Sequence, residues 1–283
     1  MRLERARPLL GTMVMLRLEG EAADASLEDR QLHEAAQAAF EGIAQVQQAM
    51  SAHSADSDLA RIAQARPGEQ LKVHPYTTDV LRQAQYWHAL SRGAFDPCAA
   101  AAALAGINGR PPREALAEAV APGGSLLRDL CIVGDGEVRL ARPLCLDLGG
   151  IAKGYAVDVA VRVLRERGVR SALVNAGGDL RSLGPRDWPV ELRMDAGLRM
   201  QLPRAFRRMQ GLALASSAAQ APGGEFVRTT RRAAKASPWR HCTVMAPDCV
   251  TADALTKWAL QSPEPSPRLR RALRLHGARL WRN

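Results

Sequence analysis

The run Leu144-Cys-Leu-Asp-Leu-Gly-Gly-Ile-Ala-Lys-Gly-Tyr-Ala-Val-Asp158 leaves the chain few choices of local structure. Leu144, Leu146 and Leu148 alternate with Cys145 and Asp147, the period of a half-buried strand. Gly149 and Gly150 then free the backbone. Val157, Ala160, Val161 and Leu164 recur at i, i+3, i+4 and i+7, which predicts a helix to about Arg167 with Gly168 as its C-cap. A strand feeding through Gly-Gly into a helix exposes main-chain N–H groups at the helix start, where Lys153 adds positive charge. That favours a phosphate or pyrophosphate ligand at the helix start after Gly149 and Gly150, beside Lys153. Without a Walker spacing, the same glycines serve equally well as a close-packed strand–helix joint.

The pattern recurs about twenty residues on. Ser171 to Asn175 predicts a buried strand that ends in Asn175, Gly177, Gly178 and Asp179. Two polar strand ends joined by one helix can converge on a single crevice, although Asn, Gly and Asp also favour a plain tight turn. A third segment, Thr251-Ala-Asp-Ala-Leu-Thr-Lys257, sets Asp253 about one helical turn from Thr256 and Lys257. An Asp with a neighbouring oxygen ligand suits Mg²⁺, and an Asp in a first helical turn also simply favours the helix dipole.

Around these segments, strands are expected at Met13–Leu18, Arg128–Val133, Glu137–Leu140, Leu144–Leu148, Val190–Met194, Leu212–Ala215, Cys242–Ala246 and Ala278–Trp281. Helices are expected at 28–50, in a short piece after Ser54, at 76–91, at Thr251–Leu260 and at Pro267–Leu273. Residues 99–124 read as an irregular connection with one short helix at Pro112–Val120. Residues 223–237 read as a basic loop. The elements mix without regular βαβ alternation and without a linker or repeat. The expectation is one α+β domain over 1–283 with a mostly antiparallel sheet flanked by helices.

Composition removes other classes. Lys+Arg 39 against Asp+Glu 29 gives a net charge of +10, but the arginines are dispersed outside Arg204–Arg208, Arg228–Arg232 and Arg268–Arg274. With no DNA-binding motif and only 4% aromatic residues, a nucleic-acid partner is not expected. No apolar run reaches 18 residues, so no transmembrane segment is expected. The basic start lacks an apolar h-region or a lipobox, which gives a cytoplasmic expectation. Five scattered cysteines read as buried free thiols. Only four basic residues are lysines (Lys72, Lys153, Lys235 and Lys257), and two of them fall inside the segments above.

Taken in order, these segments resemble the ApbE family, the FAD:protein FMN transferases. Ala6-Arg-Pro-Leu-Leu-Gly-Thr12 is similar to the family's opening Gly-Thr strand, and Ser54–Ile62 to its Ser-rich turn before a helix. Gly93-Ala-Phe-Asp-Pro97 is similar to its Gly-x-Phe-Asp-Pro element. Asp147–Asp158 resembles the signature Asp-Leu-Gly-Gly-Ile-Ala-Lys-Gly-Tyr-Ala-x-Asp almost letter for letter. Asn175–Asp179 is similar to its Gly-Gly-Asp turn, Ala215-Ser-Ser217 to its Thr-Ser-Gly strand and Ala252-Asp-Ala-Leu255 to its metal segment.

The resemblance implies an ApbE-like, T-fold-like layered architecture. It implies FAD bound by Asp147–Gly154, Asn175–Asp179 and Lys257, with Mg²⁺ on Asp253 and Thr256. Within those segments the implied FAD contacts are Asp147, Gly149, Gly150, Ala152, Lys153, Gly154, Asn175, Gly177, Gly178 and Asp179. The implied reaction moves FMN from FAD onto a Thr or Ser hydroxyl of an acceptor flavoprotein and releases AMP. Family members are often periplasmic, which stands against the cytoplasmic expectation.

Two departures mark this chain as divergent. The family's His-x-x-Asp-Pro-x-Thr-Gly stretch is replaced by Glu225-Phe-Val-Arg-Thr-Thr-Arg-Arg232, leaving the catalytic proton acceptor unassigned, and His241 is expected to pack on the next strand. The family's Thr four residues after Asp is here Lys257, with Thr256 one residue early. That shift rotates a helical side chain by about 100°. Lys257 is therefore expected to bring positive charge to the pyrophosphate, beside a weakened Mg²⁺ site or in its place. A second reading is a degenerate homologue that binds FAD as a carrier or regulator without transfer.

Overall fold

The computed structural model describes residues 2–20, 25–52, 54–98, 124–193, 199–200, 208–218, 239, 241–262 and 264–282. In chain order the strands begin with β1 (Arg2–Leu9), β2 (Thr12–Glu19), β3 (Gln70–Lys72), β4 (Leu130–Gly134) and β5 (Glu137–Leu140). Next come β6 (Ser171–Ala176), β7 (Asp179–Leu183) and four two-residue strands, β8 (Trp188–Pro189), β9 (Leu192–Arg193), β10 (Arg199–Met200) and β11 (Arg208–Met209). The chain closes with β12 (Ala213–Ala218), β13 (His241–Ala246) and β14 (Arg279–Arg282). The described helices are α1 (Ala25–Met50), α2 (Asp58–Gln64), α3 (Pro75–Ser91), α4 (Leu126–Asp129), α5 (Ala152–Glu166), α6 (Cys249–Leu260) and α7 (Pro267–Leu275).

Seven strands form one sheet in the order β1-β2-β6-β7-β12-β13-β14, and every neighbouring pair is antiparallel. The α+β, antiparallel expectation is met. Alternation puts Val14, Leu16 and Leu18 of β2, Ala172 and Val174 of β6, and Ala213 and Ala215 of β12 on the face under α1, α5 and α6. Each fully buried leucine there contributes roughly 1.5–3 kcal/mol. The opposite face carries a smaller core of Leu173, Leu180, Leu214 and Met245 with Trp188, Val190 and Met209. At Gly42 a Cβ would lie 3.0 Å from Val159 Cγ1, so the glycine sets the close approach of α1 to α5.

A smaller antiparallel sheet, β3-β5-β4, packs with α3. Buried Asp58 at the start of α2 accepts the His74 N–H at 2.8 Å and the Thr77 hydroxyl at 2.6 Å, and so ties α2 to the start of α3. No described helix is long and apolar enough to cross a membrane.

Several elements differ from expectation. β1 is not expected from the sequence, because Arg2-Leu-Glu-Arg-Ala-Arg-Pro-Leu9 lacks apolar alternation. As the sheet's edge strand it buries only Leu3 and keeps its charges in water. Its two-residue turn at Leu10 (φ 56°) and Gly11 (φ 70°) has both residues left-handed, as a tight hairpin needs. Leu144–Leu148 is not a strand. Its three leucines are buried with the expected period, but it pairs with no sheet and instead donates the Asp147 N–H to Pro97 O at 3.0 Å.

Of Val190–Met194 only Leu192–Arg193 is strand, and Met194 lies outside the described residues. The connection expected at 99–124, all but its last residue, with its short helix at Pro112–Val120, and the basic loop at 223–237 also lie outside them. All five cysteines are free. Cys98, Cys242 and Cys249 are buried as expected, Cys145 is half-buried, and Cys131 is exposed on β4.

Candidate functional site

The register fixes which residues can meet. Val14 pairs with Ala176, Ala176 with Asp179, Leu180 with Leu214, and Ser217 with Cys242. The starts of β2, β7 and β13 therefore share one end of the sheet with the ends of β6 and β12. Across this end run the first turn of α5 and the middle of α6. Asp179, Ser217, Lys153, Asp253, Thr256 and Lys257 come together there.

Two carboxylates form the floor. Asp179 is 1% exposed and Asp253 0% exposed. Lys153 Nζ lies 3.1 Å from Asp179 Oδ2, and Lys257 Nζ lies 3.2 Å from Asp253 Oδ1. The lysine side chains are 31% and 22% exposed, so the cluster is anionic beneath and cationic on the side that faces out. Neither oxygen of Asp179, nor Asp253 Oδ1, has an aligned hydrogen-bond donor among the described residues. Asp253 Oδ2 accepts the Gly154 N–H at 3.2 Å. The charge of Asp179, aided by Asp253, holds Lys153 well above the ordinary lysine range despite burial.

Burial, and then repulsion from Asp253, push the Asp179 carboxyl up to about 6 against the pull of Lys153 and Lys257. A carboxyl raised from 3.8 binds its proton more tightly folded than unfolded. Its contribution to stability is complete below about pH 4 and is lost as pH rises through about 6. Urea unfolding of wild type and Asp179→Asn from pH 4 to 8 should show wild type losing up to ~3 kcal/mol relative to the variant across that window. A difference independent of pH would show that Asp179 does not titrate there.

The helix starts are used differently from the sequence expectation. Gly149 N–H donates to Asp147 Oδ1 at 2.7 Å, Ala152 N–H to Leu148 O at 2.7 Å, and Gly154 N–H to Asp253. These three amides are taken by acceptors of the chain itself, so the positive charge of the loop comes from Lys153 rather than from a cradle of these N–H groups. At α6 the first amides are also taken. Cys249 and Val250 donate to Asp158 at 2.9 and 2.8 Å, and Thr251 donates to Asp248 at 2.8 Å. Arg181 donates to the same Asp158 at 2.6 Å. Asp158, which closes the long motif, is thus a latch that joins α5, α6 and β7.

The remaining candidates shape the site. Gly150 lets the Lys257 stem lie against the loop, since a Cβ there would be 3.1 Å from Lys257 Cγ and 3.5 Å from Phe95 Cε2. Gly177 (φ 64°) abuts Thr12, with a Cβ position 2.5 Å from its Oγ1. Asn175 Oδ1 accepts the Gly178 N–H at 3.1 Å and shapes the β6–β7 turn. Thr256 Oγ1 donates back to Asp253 O at 2.7 Å and lies 2.8 Å from Ser217 Oγ.

Ser217, which also accepts a hydrogen bond from Lys257, was not among the sequence-derived site residues. Only its place in the Ala215-Ser-Ser217 resemblance hinted at it. His241 pairs with Ala218 at this end, but alternation turns it to the face away from Ser217 and Lys257. The replaced stretch 225–232 lies outside the described residues.

The residues do not fit a Mg²⁺ ion as placed. No group of three or more His, Cys, Asp or Glu is assembled among the described residues, and Mg²⁺ held by fewer protein groups needs one or two oxygens left open to face it. The Thr256 hydroxyl is engaged with Ser217 and its own helix, and Asp253 Oδ1 already faces an ammonium.

A family model described as the ApbE family matches residues 10–271. A protein named FAD:protein FMN transferase from Rhodobacter capsulatus is 36% identical over 136 residues, 44% of this chain and 26% of that protein. One of the same name from Vibrio cholerae is 30% identical over 148 residues, 50% of this chain and 43% of that protein. The chain thus spans about half or less of the length of these relatives.

Among solved structures, the flavin transferase ApbE of Vibrio cholerae superposes with a TM-score of 0.74 at 21% identity, covering 100% of this chain and 93% of that one. The ApbE protein of Thermotoga maritima superposes at 0.76 and 22% identity, covering 100% and 94%. At such identities the likeness is one of fold. With 10–271 matched by the model and the glycine-loop, Gly-Gly-Asp and α6 segments meeting at one end of that fold, the chain belongs to the ApbE family.

Proposed function

We propose that this chain moves FMN from FAD to a Thr or Ser hydroxyl of an acceptor protein. The hydroxyl oxygen bonds to the FMN phosphorus, the bond from that phosphorus to the bridging oxygen breaks, and AMP leaves. The hydroxyl proton passes to AMP or to water. The observation that carries the reading is the outward-facing pair of ammonium groups, Lys153 and Lys257, over buried Asp179 and Asp253. A diphosphate presents spread negative charge, and charge on its oxygens grows as the phosphoryl group transfers. Fixed cations in a water-poor site stabilise that growth more than they stabilise the ground state. The relatives named FAD:protein FMN transferase support the choice of FAD.

The test incubates the protein with FAD and a flavin-accepting domain and follows the acceptor by mass spectrometry. An FMN-sized gain with release of AMP is expected. Tight FAD binding with no adduct under any condition would sink the transfer reaction and leave a flavin-binding protein.

A further inference from the structure

Lys257 is built into its place. Its stem lies against Gly150 and near Phe95, and Phe95 is itself clasped by its N–H to Ser91 Oγ at 2.9 Å and by its carbonyl to His88 Nδ1 at 3.0 Å. Its ammonium stands between Asp253 Oδ1 at 3.2 Å and the hydroxyl of Ser217, which is braced by Thr256 at 2.8 Å. Among the described residues the groups that face this ammonium come from α6, β12 and the 149–150 loop; Asp253 is the charged group in contact with it, and Asp179 acts on it from farther off. The neighbouring pair, Lys153 on Asp179, balances itself.

Two carboxylates and two ammoniums make the cluster neutral. A divalent ion added at Asp253 Oδ1 would sit within a few ångströms of a fixed positive charge, in a site too buried for water to screen the repulsion. Removal of the Lys257 ammonium would instead leave the charge of the buried Asp253 Oδ1 without the counter-ion that faces it at 3.2 Å. Those are the conditions under which a cation is drawn in.

We infer that the Lys257 ammonium is the resident cation of this site, taking the place of a divalent ion on Asp253, so that the chain binds FAD without divalent metal. For its ligand this depends on the FAD reading above. For the cation it depends only on residues of this chain.

The test pairs a metal titration that needs no flavin with a flavin titration. Wild type and Lys257→Ala are titrated with Mn²⁺ by electron paramagnetic resonance. FAD binding is then followed by flavin fluorescence in chelator and in Mg²⁺. Wild type should show no saturable Mn²⁺ uptake and the same FAD affinity in both buffers. Lys257→Ala should take up Mn²⁺ saturably. Its FAD affinity should fall about tenfold or more in chelator and recover in Mg²⁺.

Saturable Mn²⁺ uptake by wild type, or none by the variant, overturns the inference. So does FAD binding that chelator abolishes in wild type while Lys257→Ala leaves it intact. If Lys257→Ala folds poorly, Lys257→Met keeps the apolar stem against Gly150, and the wild-type titration alone can still overturn the idea. Failure of wild type to bind FAD in either buffer would sink the FAD reading, while the Mn²⁺ comparison would still decide the cation.

Discussion

Gly154→Ala is expected to be among the most damaging single-methyl changes in this chain, lowering stability by roughly 2 kcal/mol or more and weakening FAD binding at least tenfold. A Cβ on residue 154 would stand 2.5 Å from Cys249 O, 2.8 Å from Cys249 C and 2.9 Å from Asp253 Cβ. None of these is the loose end of a side chain. The start of α6 is held by Asp158, which accepts from Cys249 and Val250 and is gripped in turn by Arg181. The helices must therefore part as bodies, which strains that latch and stretches the Gly154–Asp253 bond of 3.2 Å.

Against rigid backbone such overpacking stands at the upper end of the usual range, about 3 kcal/mol, and the better helix propensity of Ala returns only about 1. Gly168→Ala is the control. Its φ of +78° carries a cost of about 1 kcal/mol, but nothing lies within 4 Å and the site is untouched. Urea unfolding and flavin fluorescence on both variants decide the matter. Equal stabilities would show that α5 and α6 do not meet in this way.

The contrast between those two glycines shows what a sequence can disclose. Gly168 closes a helix whose apolar stripe is visible in Val157, Ala160, Val161 and Leu164, so its role follows from local pattern. Gly154 sits in the same helix, yet its partner lies near residue 250, and no spacing announces a contact across about ninety-five residues. Asp158 is alike: the motif shows the letter, while the amides it caps stand 91 and 92 positions away.

The long motif and the Asp253–Lys257 pair were legible because each is one turn of helix or one loop. Ser217 was not, because β12 reaches the site only through the order β7-β12-β13 of the sheet. At Leu144–Leu148 local pattern misled. Alternating leucines record alternating burial, and burial of that period needs no ladder partner. The charged edge strand β1 is the converse, a ladder without alternating burial.

Lys153→Met is expected to lower kcat/KM for FMN transfer by about 10²–10³-fold, the loss typical when one preorganised cation or donor is withdrawn from a developing phosphoryl charge. The stability cost must be separated from this, because Asp179 is left buried beneath it, 1% exposed and without its ammonium. That cost has a ceiling. An unpaired buried carboxylate takes up a proton rather than stay charged, and at pH 7 protonating a carboxyl already held at about 6 adds only ~1 kcal/mol to what wild type bears. The double variant Lys153→Met/Asp179→Asn removes the buried charge altogether. Its stability should recover most of what the single change lost, whereas its transfer rate should stay as low as that of Lys153→Met. Recovery of both together would mean that Lys153 serves only to neutralise Asp179 and never meets the diphosphate. Recovery of stability alone assigns the lysine two separable tasks, one toward the floor of the site and one toward its ligand.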